Sequence, residues 1–495
     1  MSGIQMRCHP TIIVENSFRA IIWITFIILV IGQFEMSITG GLLAASLVAV
    51  ILFHYRQWKR TTVQFNEMDI VVERTTLFKL KKTLPYSRIA SVNVNRGVIN
   101  RLFGTSKLMI NINSGHNAMV PEATLTFKED VADRLRDRIS QRLYNHDYFS
   151  EEEEVESIVS SSPIDVIIHG LFSVSTYQSI MGCIFLAYSG IEMYISTMAE
   201  YEAGGKVLLP LMMFFMVQIL PAITHIIRYY GFKVYRKEDT IYLQHGLIRT
   251  YRTSFNIHKI NAIRVKSTLF ARLLNKSYIE AEVVGMVSAD GDGGARPVIS
   301  LLKNDAVTQR ILQELVPEFI YERTPNKQPK NARSVLLIRA IIASSILVAA
   351  MIYPSILIYN EIATQTWIVG TLRTILQYGL PLLTALAVLA IMYGAHISYT
   401  IREFDAGEEL FTFVNGILDR EIVVMNYDKV QMVWITKGPI ARMFDVAKGD
   451  VYMLSSLGTT KISSGYFSEK ELNKINDVAI GRIASGKYDH RLNLI

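Results

Sequence analysis

Six long apolar runs lie along the chain in three pairs: 18–34 with 38–55, 177–198 with 207–227, and 336–359 with 367–393. Each is near the ~20 residues that a helix needs to cross the hydrocarbon of a bilayer. Six transmembrane helices in three hairpins are therefore predicted. After each pair the pattern changes to short alternations. Following the first pair, Ile89-Ala90-Ser91-Val92-Asn93-Val94 puts Val92 and Val94 on one face and Ser91 and Asn93 on the other. A period of two is the mark of a half-buried strand. Segments 69–73, 77–80, 107–112 and 123–127 read as further strands, and 129–144 switches to helical spacing, with Val131, Leu135, Ile139 and Leu143 on one stripe. Short strands closed by one amphipathic helix predict a small β-barrel or sandwich with a C-terminal helix, and an α+β class for the whole.

The soluble pattern occurs three times. Leu84 opens LPYSRIASVNVNRGVINRLFGTSKLMINI, Phe255 opens FNIHKINAIRVKSTLFARLLNKSYIEAEV, and Met425 opens MNYDKVQMVWITKGPIARMFDVAKGDVYML. A basic residue precedes a β-branched one in each: Arg88-Ile89, Lys259-Ile260 and Lys429-Val430. Thirteen residues on, a second basic residue precedes two large apolar ones: Arg101-Leu102-Phe103, Arg272-Leu273-Leu274 and Arg442-Met443-Phe444. The repeat is too long for a solenoid unit, so each copy is read as a domain. The repeating unit is a hairpin followed by a domain. The expected order is hairpin 1 (1–56), domain 1 (57–148), an acidic linker (149–162), hairpin 2 (163–230) and domain 2 (231–322). A basic linker (323–333), hairpin 3 (334–397) and domain 3 (398–495) complete it.

LPYSRIASVNVNRGVINRLFG resembles the bacterial pleckstrin-homology-like (PH-like) domain of membrane proteins: a Leu-Pro, then Arg-Ile, then an apolar residue, any residue and Arg-Leu-Phe-Gly. Copies two and three depart from it, with Phe255-Asn256 and Met425-Asn426 at the Leu-Pro and Asn275 and Asp445 at Gly104. With its membrane segments the chain resembles the large, three-copy member of that family. The resemblance implies a bacterial cell membrane, a smaller membrane protein with one PH-like domain as partner, and a role in envelope defence.

Composition agrees with a membrane protein that carries soluble parts: of 495 residues, 50% are hydrophobic and 19% charged. Hairpin loops carry Glu35, Glu200, Glu202 and Glu361, whereas the opposite ends carry Arg56, Lys59, Arg60, Arg228, Lys233, Arg333 and Arg402. Lys/Arg excess marks the cytoplasmic side, so both termini and all three domains are expected there. Arg339 and Arg373 lie close enough to helix ends to snorkel. No cleavable signal peptide is expected, because a second apolar run follows the first at once. Cys8 and Cys183 are too few for a disulfide framework or a metal site. Residues 163–169 and 10–15, ahead of hairpins 2 and 1, read either as short interfacial helices or as continuations of the membrane helices.

Little chemistry stands out. The chain has no phosphate loop, HExxH, GxSxG or kinase signature, so no enzyme, catalytic residue or cofactor is expected. Asp290-Gly291-Asp292-Gly293-Gly294 lacks the ligands that complete a calcium loop and reads as a hairpin tip. Nucleic acid is not an expected partner, because topology accounts for many of the basic residues. The recurring pairs Arg88 and Arg101, Lys259 and Arg272, Lys429 and Arg442 are the candidates for contact with anionic lipid or a partner. Each charge near an anionic surface contributes about 1 kcal/mol. The competing reading makes them structural, capping a turn or pairing with a carboxylate. The function expected is a non-enzymatic polytopic scaffold whose domains bind a partner, each other or lipid. The alternative is a transporter or channel, with Glu192, Arg373, Gln218, Pro221 and His225 as its polar and broken-helix positions.

Overall fold

The computed structural model describes residues 4–31, 36–76, 79–112, 121–144, 159–198, 204–284, 296–364, 370–455 and 458–486. The first copy comprises β1 (Ile4–Met6), α1 (Thr11–Ile31), α2 (Met36–Lys59), β2 (Thr61–Phe65), β3 (Asp69–Thr75), β4 (Lys79–Pro85), β5 (Ile89–Arg96), α3 (Val98–Leu102), β6 (Thr105–Ile112), β7 (Ala123–Lys128) and α4 (Glu129–Tyr144). The second runs β8 (Val159–Ser160), α5 (Pro163–Phe172), α6 (Thr176–Met198), α7 (Gly204–Phe214), α8 (Leu220–Tyr229), β9 (Lys233–Lys237), β10 (Thr240–His245), β11 (Thr250–Asn256), β12 (Ile260–Ser267), α9 (Leu269–Leu273), β13 (Lys276–Val283), β14 (Val298–Asn304) and α10 (Asp305–Leu315). The third is β15 (Asn326–Lys327), α11 (Lys330–Thr364), α12 (Gly370–Ile401), β16 (Glu403–Ala406), β17 (Leu410–Gly416), β18 (Arg420–Asn426), β19 (Val430–Thr436), α13 (Pro439–Met443), β20 (Ala447–Ser455), β21 (Gly458–Phe467) and α14 (Glu469–Ala484).

Each copy is built from two sheets that share a core. In the first, Val63, Phe65 and Leu84 of one sheet meet Leu108, Ile110 and Leu125 of the other, with Leu135 and Ile139 of α4 closing the side. Of the two expected forms, barrel or sandwich with a helix, the sandwich is therefore present, and no closed barrel forms among the described residues. The second sheet of one copy instead continues into the first sheet of the next. One seven-stranded sheet runs β7-β6-β5-β11-β10-β9-β8, another β14-β13-β12-β18-β17-β16-β15. The sheets at the two ends of the row are smaller, β1-β2-β3-β4 and β19-β20-β21. Backbone groups at a strand edge seek partners, and those of β5, β11, β12 and β18 find them in the neighbouring copy.

The strand ahead of each hairpin also joins the domain behind it: β1 pairs with β2, β8 with β9 and β15 with β16. Val159 and Asn326, inside the stretches read as linkers, thus belong to sheets. The acidic run 151–154 and the Gly-Asp tip 290–294 lie outside the described residues.

Among the described residues, five helices are long and apolar enough to cross a membrane: Gly41–Lys59, Thr176–Thr197, Gly205–Tyr229, Lys330–Thr364 and Arg373–Ile401. The remaining expected span falls in α1, whose apolar side chains lie largely outside the described residues. Within the fourth expected span, Pro221 has no N–H and its ring crowds the carbonyl four residues back. A π-helical turn over Phe215–Ile219 absorbs the misfit. α5 is a separate helix, started by a capping box in which Ser162 and Asp165 satisfy each other's backbone N–H. α1, by contrast, runs unbroken from Thr11.

Local chemistry explains where copies two and three leave the family pattern. At the Leu-Pro site a 3-10 turn begins. Pro85 supplies the extended backbone in copy one, while Asn256 and Asn426 accept from the N–H two residues on. At the Gly104 site the backbone is left-handed in all three, with φ of 61°, 52° and 48° for Gly104, Asn275 and Asp445. Asn and Asp are the side-chain-bearing residues that tolerate this region best.

Candidate functional site: the copy junctions and a basic cleft

Three of the six residues picked out by the repeat, Arg101, Lys259 and Arg272, bridge the seams between copies. Arg101 of α3 reaches into the next copy, donating to the Leu247 carbonyl at 2.9 Å and to the Thr250 hydroxyl. Arg272 of α9 does the same across the second seam, to the Leu418 carbonyl at 3.4 Å. Lys259 points the other way, from copy two back to the Ile89 carbonyl at 3.4 Å. Lys429 is half-buried and engaged with neighbours. Arg442 has no following copy to reach; it is exposed and donates to the Lys437 carbonyl of its own copy at 3.2 Å. Arg88 has no preceding copy and is exposed. The six do not gather into one patch.

At the second seam the sequence signal was incomplete. Arg264 of β12 donates from Nε to buried Glu282 and from Nη1 across the seam to Glu421 of β18, both at 2.6 Å. Lys266 meets Glu280 at 2.8 Å, and Arg296 also contacts Glu282. Burial works to raise the Glu421 carboxyl, but the charges of Arg264 and Lys266 outweigh it and hold it below its ordinary value. Each sheet face here serves a different domain: Ala262 of copy two sits in the core of copy three, and Val424 of copy three in the core of copy two.

The third copy carries a cleft of about 330 Å³ lined by Val335 and Arg339 of α11, Lys437, Ile440 of α13, Lys448 and Tyr466. α11 has 35 residues, roughly 52 Å at 1.5 Å per residue, against a hydrocarbon core of about 30 Å. Its first turns therefore extend outside the hydrocarbon, and Arg339 lies at that end. Corresponding positions in the other copies are filled by complementary groups. Lys107 bonds Glu15 of α1 at 2.6 Å, and Tyr278 packs edge-on against His169 of α5, ring centres 5.4 Å apart. In copy three Lys448 has Asp450 at 4.0 Å and also feels the charges of Arg339 and Arg402. Burial, with those two cations and Lys461, lowers its pKa despite Asp450. Arg402 keeps a buried Nε with no hydrogen-bond partner among the described residues. An anion is the ligand such a cleft suits. Sequence reading treated Arg339 as a snorkelling residue and Arg402 as a topology signal, and had no cue for Lys448.

The candidate pore positions make local contacts, though Gln218 keeps a buried Oε1 with no hydrogen-bond partner among the described residues. Glu192 lies 3.9 Å from Lys206, Arg373 donates to the Ala363 carbonyl at 2.6 Å, and Gln218 packs against Gly182. His225 bonds Ser173 at 3.0 Å. Below it, burial drives His169 down to about 3 and His245 to about 4. Among the described residues no cluster of three His, Cys, Asp or Glu is placed to hold a metal ion.

Hairpin helices feeding sandwich domains define a membrane protein with three copies of one module. The family profile described as "Bacterial PH domain" matches residues 22–143, 187–315 and 337–477, so the chain belongs to the bacterial PH domain family. It is similar to the UPF0699 transmembrane protein YdbT of Bacillus subtilis (strain 168), 21% identical over 383 residues that cover 69% of this chain and 75% of that protein. No solved structure matches.

Proposed function

We propose that the protein is a non-enzymatic scaffold of a bacterial cell membrane, with six spans in three hairpins holding a row of PH-like domains at the cytoplasmic face. The observation that carries this reading is the pair of seven-stranded sheets that run through the seams. Four strand edges, adhesive surfaces of such domains, are spent on binding one another: β5 with β11 and β12 with β18. A rigid row is a platform rather than a moving catalyst. The cleft lined by Arg339, Lys437 and Lys448 supports a second contact, with the phosphate of an anionic lipid. Lipid contact at Arg88, Arg101, Lys259, Arg272, Lys429 and Arg442 is secondary to it, since Arg101, Lys259 and Arg272 already donate across the seams.

The test uses the full chain in vesicles. Phosphatidylglycerol should bind at least tenfold more tightly than phosphatidylcholine, and the double variant Arg339→Gln, Lys448→Gln should lose that preference. Loaded vesicles should show no protein-dependent solute leak. Solute flux that Gln218→Ala abolishes would replace the scaffold with a pore.

A further inference from the structure

Both seams join the same two kinds of strand. The strand that opens a copy's second sheet, β5 or β12, lies antiparallel against the strand that closes the next copy's first sheet, β11 or β18. The chain has one more of each kind. β19 matches β5 and β12, β4 matches β11 and β18, and each is the last strand of its sheet.

The side chains of β19 carry the trace of a missing neighbour. Ala262 and Arg264 at the second seam are 0% and 5% exposed, whereas their counterparts Met432 and Trp434 are 47% and 57% exposed. On the opposite face Val433 and Ile435 are only partly buried against the third copy's core. β19 has no charged residue, and an uncharged, apolar strand edge is a template for another strand. At the same two ends the bridging side chains touch no other copy: Arg442 bonds the Lys437 carbonyl of its own copy, and Arg88 is exposed. Arg442 stands where Arg101 and Arg272 reach forward, and Arg88 where Lys259 reaches back.

We propose that β19 of one chain pairs antiparallel with β4 of a second copy of this chain, making a third seam head to tail. The inference rests on the scaffold reading and extends it from one chain to an assembly. Carrying over the register of the second seam sets Met432 opposite Leu84, Trp434 opposite Lys82 and Thr436 opposite Leu80. Met432 then enters the core beside buried Leu84, as Ala262 does beside Met425. The Trp434 ring meets the Lys82 side chain, whose ammonium also bonds Glu122 at 3.2 Å, in an attractive cation–π arrangement. Lysines on an edge often deter pairing, but Lys79 and Lys81 occupy the positions of Arg420 in β18 and Arg252 in β11, both in paired strands. By the same equivalence Arg442 gains the Thr76 carbonyl of the second chain, and Arg88 the Val430 carbonyl. Such an interface is heterologous, so chains add in one direction until a ring closes.

Two differently tagged full-length chains, one with Trp434→Cys and the other with Lys82→Cys, test the register after co-expression and oxidation. Cys183, which is exposed, is replaced by Ser, while Cys8 is buried and stays. The expected result is a disulfide joining the two tags, at least tenfold above the yield for Trp434→Cys alone. The double variant Met432→Lys, Trp434→Lys changes only exposed side chains. It should keep the thermal transition and reduce the native mass in detergent to a single 56.1 kDa chain. A wild-type chain that is monomeric at micromolar concentration overturns the proposal and assigns the edge to a different protein's strand. Efficient Trp434→Cys self-linking overturns it in favour of a two-fold β19–β19 contact. Either result leaves the scaffold reading standing if anionic lipid is still captured without solute flux.

Discussion

The two internal seams have one topology and opposite chemistry. At the first, β5 meets β11 over three registered pairs, and its inward row of Ser91, Asn93 and Asn95 is neutral. Asn93 and Asn95 keep buried carbonyl oxygens without a partner among the described residues. At the second, β12 meets β18 over six pairs, and the corresponding row of Ala262, Arg264 and Lys266 carries the ion network to Glu421 and Glu282. Strand pairing specifies that the copies join; the side chains set how firmly. On this contrast the first seam is expected to open before the second.

Arg264→Ala should do the most damage. It leaves Glu282, 0% exposed, with one cation fewer, and Glu421 without its closest partner. Breaking a buried ion pair from one side costs about 3–5 kcal/mol. Hydrogen exchange of β12 and β18 amides should accelerate by more than a hundredfold while β5 and β11 change little. Equal acceleration at both seams would mean that the row opens as one unit and that the contrast has no energetic content.

Acid should separate the seams in the opposite sense. His169 and His245 are held neutral by burial, so the unfolded chain binds more protons than the native one below pH 6.5. Their contribution is intact above 6.5 and is lost as pH falls, about 2 kcal/mol for each at pH 5. His245 stacks on Tyr251, which pairs with Asn95 at the first seam. Glu421 works at lower pH: its depressed pKa means that its contribution survives down to about 4.5 and fades below. Between pH 6.5 and 4.5, exchange at β10 and β11 should therefore rise before exchange at β12 and β18. His245→Gln should remove part of that dependence.

How much of this was legible in the sequence differs by level. Periodicity placed β5, β6, β7 and α4 close to their observed bounds, because alternation and the Val131–Leu135–Ile139 stripe report burial directly. The position of Gly104 was legible as a motif, yet Asn275 and Asp445 looked like departures until the left-handed backbone showed them to be the same solution. The seams were not legible. A strand that pairs with another copy reads like one that pairs with its own, since the period of two records faces and not neighbours. Arg101 and Arg272 were found by recurrence, but recurrence does not say what they touch. Arg264 does not recur, being Asn93 and Trp434 elsewhere, so nothing in the repeat pointed to it.

The smallest effect sharpens the comparison most. Arg101→Ala and Arg272→Ala remove equivalent side chains from the two seams. Arg101 donates to a carbonyl and a hydroxyl of the next copy but is exposed, so its loss should cost only about 1 kcal/mol. Arg272 makes a longer bond, 3.4 Å, beside a seam already locked by ions. Arg101→Ala should therefore raise exchange at β5 and β11 by about fivefold, and Arg272→Ala should barely move β12 and β18. If the second variant had the larger effect, the ion network would not be what holds its seam. The clamp from the short helix would then be the common fastening of both.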